Sequence, residues 1–86
     1  MIYAPQIRAA RALLGLGQQD LAKLAGLSVG TVKRLESGRD EMSTSIGTLL
    51  SIKRALEQAG VAFIDEDEER GPGVRLRRPR EVKSAS

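Results

Sequence analysis

The sequence of 86 residues contains neither cysteine nor histidine. Without these two residue types the chain has no disulfide, no thiolate nucleophile and none of the usual nitrogen and sulfur ligands of zinc. No apolar run approaches the roughly 20 residues that span a bilayer, and the N-terminus lacks a basic segment followed by an apolar one. These absences argue against an enzyme, a cofactor or metal, and a membrane protein, and we expect a cytoplasmic location.

Charge is distributed unevenly along the chain. The net charge is +3, with a modest excess of cations up to residue 64, an acidic run at residues 65–69 and a basic stretch from residue 70 onward. Because the helical part carries only a small excess, its nonspecific attraction for phosphates is expected to be ordinary. From its length we expect this chain to form one domain with a modest core, without a separate sensor domain.

Two short helical patterns separated by a tight turn occupy residues 18–39. The first pattern starts near Gln18 and ends at Gly26, because glycine adopts the left-handed cap conformation without a Cβ penalty. Its apolar residues recur on one face, at Leu21, Ala22 and Ala25. Leu27 is predicted to fill the angle between the two helices, and Ser28 can cap the amides of the next one.

The second of these helices is predicted to begin at Val29 and to end at Ser37-Gly38-Arg39. Val32 and Leu35 fall three residues apart on its inward side. The remaining residues are then expected on its outer faces, namely Val29, Gly30, Thr31, Lys33 and Arg34. A short helix with a polar, cationic outer face suits the major groove of DNA.

Two further helices are predicted to flank this pair. In the first, Pro5 suits the opening turn, and the buried stripe comprises Ile7, Ala10 and Leu14. The fourth helix can be capped by Ser43, Thr44 or Ser45 and ends at Gly60. Its expected inward face comprises Ile46, Leu49, Leu50 and Leu56.

Two short strands are predicted after Gly60, at residues 61–64 and 74–77. The first is an apolar, β-prone run and the second alternates apolar with cationic residues. Because a lone two-stranded hairpin is marginal in water, the strands should pack on helix four or pair with a second subunit. We hypothesise a dimer contact formed by Val61, Phe63, Ile64, Val74 and Leu76. The alternative is a flap within one chain that covers the end of helix four.

The expected fold is therefore mainly α: a compact four-helix domain at residues 1–60, a hairpin or strand pair at 61–77 and a flexible basic tail at 78–86. Cations of the last segments could contact phosphates, namely Arg77, Arg78, Arg80 and Lys83. The alternative is a solubilising terminus that is weakly attracted to the acidic run.

Residues from about Ile7 to about Gly60 resemble the phage-repressor/Cro-like helix-turn-helix family of bacterial regulators, also called the xenobiotic-response-element (XRE) family. The resemblance rests on Arg11, Gly15-Leu16, Gln18, Leu21-Ala22, Gly26-Leu27-Ser28, Val32, Leu35-Glu36 and Gly38. It implies that Gln18 contacts a DNA phosphate, as would Ser28 and the loop from Ser37 to Arg39. It also implies base contacts from Val29, Gly30, Thr31 and Arg34, and an internal ion pair between Arg11 and Glu36.

Two positions depart from the family pattern. Gly17 occupies the N-cap of the second helix, where Ser or Thr is common, at a cost of a few tenths of a kcal/mol. Gly30 places no side chain at a position that commonly reads bases, so readout must rest on Val29, Thr31, Lys33 and Arg34. Arg34 is the strongest candidate because a guanidinium bonds a guanine edge bidentately, whereas Lys33 suits a phosphate. The alternatives are a solvated face for the two cations and a capping role for Gln18.

These features predict a transcriptional regulator that binds double-stranded DNA sequence-specifically and inserts helix three, about residues 29–37, into the major groove. As a homodimer it would recognise a palindrome with half-sites roughly one helical turn apart, and it would act most simply as a repressor. One alternative is the antitoxin of a toxin–antitoxin pair, with the strands and tail binding the toxin. Another is a protein-interaction module that binds DNA weakly, which Gly30 favours.

Overall fold

The computed structural model describes residues 2–38 and 44–79, and all structural statements below concern these residues. It contains four helices followed by a two-stranded antiparallel sheet. The elements are α1 (Ala4–Leu14), α2 (Gln18–Ala25), α3 (Val29–Ser37), α4 (Ile46–Ala59), β1 (Val61–Ile64) and β2 (Gly73–Leu76). The predicted mainly α fold with a C-terminal strand pair is confirmed. Four residues given roles above lie outside the described residues, namely Arg39, Ser43, Arg80 and Lys83.

Local chemistry accounts for the boundaries of α2. Gly26 ends the helix with φ of 69°, a left-handed conformation that side chains rarely adopt. At the other end Gly17 has no capping side chain, but the carboxylate of Asp20 accepts a hydrogen bond from the Gly17 amide at 2.8 Å. Asp20 thereby supplies one of the interactions of a capping box and also places a negative charge in the first turn.

Helices α3 and α4 begin with the same local structure. Ser28 and Ser45 are the N-caps, and their hydroxyls accept the amide protons of Thr31 at 3.2 Å and Thr48 at 3.1 Å. In each helix a glycine is the second helical residue, and each serine and threonine hydroxyl pair is also hydrogen-bonded. Of the three candidates for the cap of helix four, Ser45 is therefore the residue that caps it.

The hydrophobic core draws on all four helices and on β1. Its fully buried side chains include Ile7, Leu21, Val32, Ile52, Leu56 and Val61. The predicted inward face of α4 is wrong for Ile46 and Leu50, which are 69% and 42% exposed. The buried face of α4 is centred on Ile52 and Leu56. Because each residue advances a helix by about 100°, Ile46 and Leu50 lie more than about 90° around the helix from Ile52 and point away from the core. Leu49 lies between these faces and is half-buried.

The two strands pair with each other within one chain. Val61 lies opposite Leu76 and Phe63 opposite Val74, and all four side chains face the core. Within one chain Val61 is fully buried, and Phe63, Val74 and Leu76 pack against the core, which leaves little of these side chains for a second subunit. The hypothesis that the hairpin residues form a dimer contact stays a prediction. Ile64 points to the other face and is partly exposed. Within this chain the paired strands lie on α1 and α4, the arrangement described above as a flap.

A buried glutamine on α1 fastens the hairpin to the helices. The Gln6 side chain accepts the amide proton of Tyr3 at 2.8 Å. Its Nε2 donates to the carbonyl oxygens of Gly73 at 3.0 Å and Ile64 at 3.4 Å. These bonds satisfy a polar side chain that is 4% exposed, so Gln6 joins residues that are far apart in the sequence.

Candidate nucleic-acid interface

The helix-turn-helix consists of α2 and α3, joined by the turn at residues 26–28. Val32 and Leu35 of α3 are buried in the core, as predicted. Gly30, Lys33, Arg34 and Ser37 are exposed on the opposite side of the helix. The burial of one side therefore holds α3 against the domain while its cationic side faces solvent.

Two of the predicted base-reading residues lie closer to the core than expected. Val29 is half-buried and packs against the hydrophobic cluster, so its predicted position on an outer face is wrong in part. Val29 is the first residue of α3, two positions after Leu27, and both side chains pack against the core cluster at the turn between the two helices. Thr31 is also half-buried, because its hydroxyl turns back to the cap at Ser28.

The capping bonds limit what Ser28 and Ser37 can offer a phosphate. The hydroxyls of Ser28 and Thr31 lie 2.9 Å apart, so one of them donates to the other and a single hydroxyl proton is left for a further acceptor. The Ser37 hydroxyl donates to the carbonyl oxygen of Arg34 at 2.6 Å. It therefore closes the last turn of α3 and cannot donate to a phosphate at the same time.

A network of three side chains lies beneath the start of α2. The Arg11 guanidinium bonds both carboxylate oxygens of Glu36, at 2.7 and 2.9 Å, and it also donates to the carbonyl oxygen of Leu16 at 3.0 Å. Gln18 joins the network because its Nε2 donates to Glu36 at 3.1 Å. Gln18 is thus half-buried and bonded within the domain, and the second Nε2 proton is what it could present to a phosphate.

The network keeps Glu36 ionised despite its burial. Burial raises the pKa of this carboxyl, but the hydrogen bonds from Arg11 and Gln18 and the charges of Arg11 and Arg8 outweigh that effect, so its pKa lies below the ordinary value. The hydrogen bond to Glu36 raises the pKa of Arg11 above its ordinary value. The pair ties α1 to the last turn of α3, which orients the exposed face of α3.

Sequence reasoning missed the role of Arg8. Its guanidinium donates to the backbone carbonyl oxygen of Glu36, one of the terminal carbonyls that a helix leaves without an internal partner. Arg8 precedes Arg11 by three residues and so lies on the same face of α1. The signal available in the sequence was this pair of arginines on α1 together with a glutamate, Glu36, in the last turn of α3.

Within residues 2–38 and 44–79 no group of three or more acidic side chains is placed to hold a metal ion. None of the helices in this part of the chain is long and apolar enough to cross a membrane. The exposed cationic face of α3, whose other side is buried in the core, can bind a polyanion.

Comparison with known protein families agrees with this geometry. The model of a helix-turn-helix family matches residues 7–60, which is more than half of the chain. The chain belongs to the Cro/C1-type helix-turn-helix (XRE) family of DNA-binding transcription regulators. No curated protein matches the sequence.

Proposed function

We propose that the protein binds double-stranded DNA sequence-specifically as a homodimer, inserts α3 into the major groove and represses transcription by excluding polymerase. The observation that carries this proposal is the exposed face of α3, where Lys33 and Arg34 project from a helix whose other side is buried. A helix of this size and polarity matches the width and the acceptor-rich edges of the major groove.

The proposed base contacts divide according to exposure. Arg34 would bond a guanine edge, and Lys33 would bond a base or a neighbouring phosphate. Val29 and Thr31 would contribute only what their half-buried side chains expose, such as contact with a thymine methyl group. At Gly30 the absence of a side chain lets the backbone of α3 approach the bases.

The proposed backbone contacts come from groups at helix ends. The second Nε2 proton of Gln18 and the one hydroxyl proton that the Ser28–Thr31 pair does not use would donate to phosphate oxygens. Ser37 would contribute through its position in the turn rather than by hydroxyl donation, since its proton is used within α3. Arg39 follows in the sequence and would add a cation.

The proposed dimer uses a surface other than the hairpin. Ile46 and Leu50 are exposed apolar side chains at the start of α4, and with Ile2, Leu49 and Lys53 they line a hollow of about 270 Å³. Burial of this patch against a second copy would remove apolar area from water, and two-fold pairing would present two copies of α3 to a palindrome. The supporting observation is that Ile46 and Leu50 expose apolar surface to water, which is unfavourable in free energy.

Selection of bound fragments from random duplex DNA by the purified full-length protein, at two salt concentrations, tests the proposal. A palindromic motif whose preference persists at higher salt is the expected result, because base contacts depend less on salt than phosphate contacts. Weak enrichment that disappears at higher salt would contradict sequence-specific binding and would favour the protein-interaction alternative.

A further inference from the structure

A shallow groove runs between α1 and the outer edge of β2. It consists of two adjoining hollows, of about 540 and 510 Å³, that share Val74. On the helix side Pro5, Ala9 and Leu13 line it, and these residues are spaced by four along one stripe of α1. Leu13 is 44% exposed, so the groove has an apolar wall in contact with solvent.

The backbone of β2 along this groove has free hydrogen-bonding groups. The Arg77 amide donates to the carbonyl oxygen of Gly60 at 2.9 Å, which continues the register of the hairpin. Hydrogen-bonded pairs alternate in antiparallel sheets, so Arg75 bonds β1, whereas Val74 and Leu76 direct their amides and carbonyls away from it. These outward groups make no hydrogen bond within the described ranges. The edge of β2 is therefore open to another strand.

The open edge is positively charged at its C-terminal end. Arg75, Arg77 and Arg78 are exposed there, and none of them forms an ion pair within residues 2–38 and 44–79. The only hydrogen bond from their side chains in this region joins Arg77 to the carbonyl oxygen of Glu57, at 3.3 Å. This end of the edge thus attracts a strand of negative charge and disfavours one of positive charge.

A second copy of the chain does not satisfy this edge. If two β2 strands paired antiparallel around Val74, each Arg75 would lie diagonally across from the other, and Arg78 would face Arg70. The chain's own acidic run does not serve as an added strand either. Asp67 folds it into a turn, because its carboxylate accepts the amide protons of Glu69 at 2.8 Å and Arg70 at 2.7 Å.

We propose that the free edge of β2 docks an extended acidic segment of a partner protein as a third strand. The outward groups of Val74 and Leu76 supply the backbone hydrogen bonds. Side chains alternate along a strand, so one set lies over Ala9 and Leu13 while the acidic set lies beside Arg75. This site is separate from the exposed face of α3 and does not depend on DNA binding.

A capped, fluorescent peptide of about six residues that alternates glutamate and valine is the probe, since this is the usual length of a strand. Binding to the full-length protein is measured by anisotropy, and a peptide with lysine in place of glutamate is expected to bind at least tenfold more weakly. Hydrogen exchange followed by NMR then locates the contact. The peptide is expected to protect the amides of Val74 and Leu76, whereas the Arg75 amide is already protected by β1.

Matched variants test the groove itself. Ala9→Glu places bulk and negative charge in the groove and is expected to weaken peptide binding at least tenfold. Ala12→Glu introduces the same residue at another exposed position of α1 and is expected to leave binding unchanged. Arg75→Gln is also expected to weaken binding of the glutamate peptide, without affecting the core.

Several outcomes would overturn the proposal. They are equal affinity for the two peptides, no effect of Ala9→Glu, protection of amides outside β2, and self-association through β2 in place of peptide binding. Weakened binding of duplex DNA by Arg75→Gln, with peptide binding unchanged, would assign the arginines to phosphates and would also refute it.

Discussion

At the scale of single residues, the exposed face of α3 carries two cations of different chemistry, Lys33 and Arg34. We expect Arg34→Ala to reduce the preference for the selected operator over random duplex by about 1 to 3 kcal/mol, because the bidentate contact with a guanine is lost. Fluorescence anisotropy with both duplexes measures this preference. Arg54→Ala, at an exposed position on α4, is the control, and an equal loss on both duplexes would instead assign Arg34 to a phosphate.

Gly30 and Gly47 provide a matched pair, because each is the second residue of a helix that begins with the same serine cap. A Cβ at either position meets only the capping hydroxyl, at 3.9 and 4.0 Å. Replacement of either glycine with alanine is expected to raise the free energy of unfolding by about 0.5 to 1 kcal/mol. In DNA titrations only Gly30→Ala should change affinity, and an equal effect of Gly47→Ala would refute close approach of the α3 backbone to DNA.

Glu36 is expected to make the domain less stable as the pH falls into the acid range. Its depressed pKa means that its contribution is fully present above the unfolded-state pKa of about 4.3 and is lost as pH falls through the lower folded-state pKa. We expect Glu36→Gln to lower the free energy of unfolding by about 3 kcal/mol at pH 7. This value lies at the low end of the range for broken buried ion pairs, because Arg11 is 22% exposed. Urea denaturation measures the free energies of unfolding of wild type and variant, and the difference between them should disappear below about pH 4.3. Glu57→Gln on α4 is the control and should not reproduce this pH-dependent difference. A constant gap would contradict this role.

At the scale of elements, the hairpin is held to α1 by Gln6 as well as by apolar packing. Gln6→Ala is expected to destabilise the domain by about 1 to 3 kcal/mol, because the carbonyl oxygens of Gly73 and Ile64 lose a donor and a cavity is left. Hydrogen exchange should accelerate more in β1 and β2 than in α2. Gln19→Ala on the exposed side of α2 is the control, and uniform acceleration throughout the domain would show that Gln6 has no specific effect on the hairpin.

At the scale of the whole molecule, the proposed dimer depends on the exposed apolar patch of α4. Leu50→Glu places a charge in that patch and is expected to lower the solution mass to that of a monomer, because an unpaired charge is costly to bury. Sedimentation equilibrium measures the mass, and Leu24→Glu is the control at a leucine of α2 that is 55% exposed. If the Leu50→Glu variant is still a dimer, the exposed patch of α4 is not the dimer contact. If the wild type is a monomer, the proposal of a homodimer is wrong.

Sequence alone determined the features that depend on neighbouring residues. Gly26 and Gly38 marked the ends of α2 and α3 because the left-handed cap needs no Cβ, and Ser28 marked the start of α3 because its hydroxyl bonds an amide three residues away. Apolar spacing within α2 and α3 likewise predicted which residues are buried. These are short-range rules, so the helix-turn-helix and its family could be recognised before any coordinates.

Only the tertiary structure decided the features that join distant parts of the chain. It directed Ile46 and Leu50 away from the core, although their spacing suited an inward face, because burial depends on which elements pack against α4. It bonded Gln18 to Glu36 and Gln6 to Gly73, pairs that no local pattern links. It also paired β1 with β2 in a defined register, because the short link between them closes at a small entropy cost.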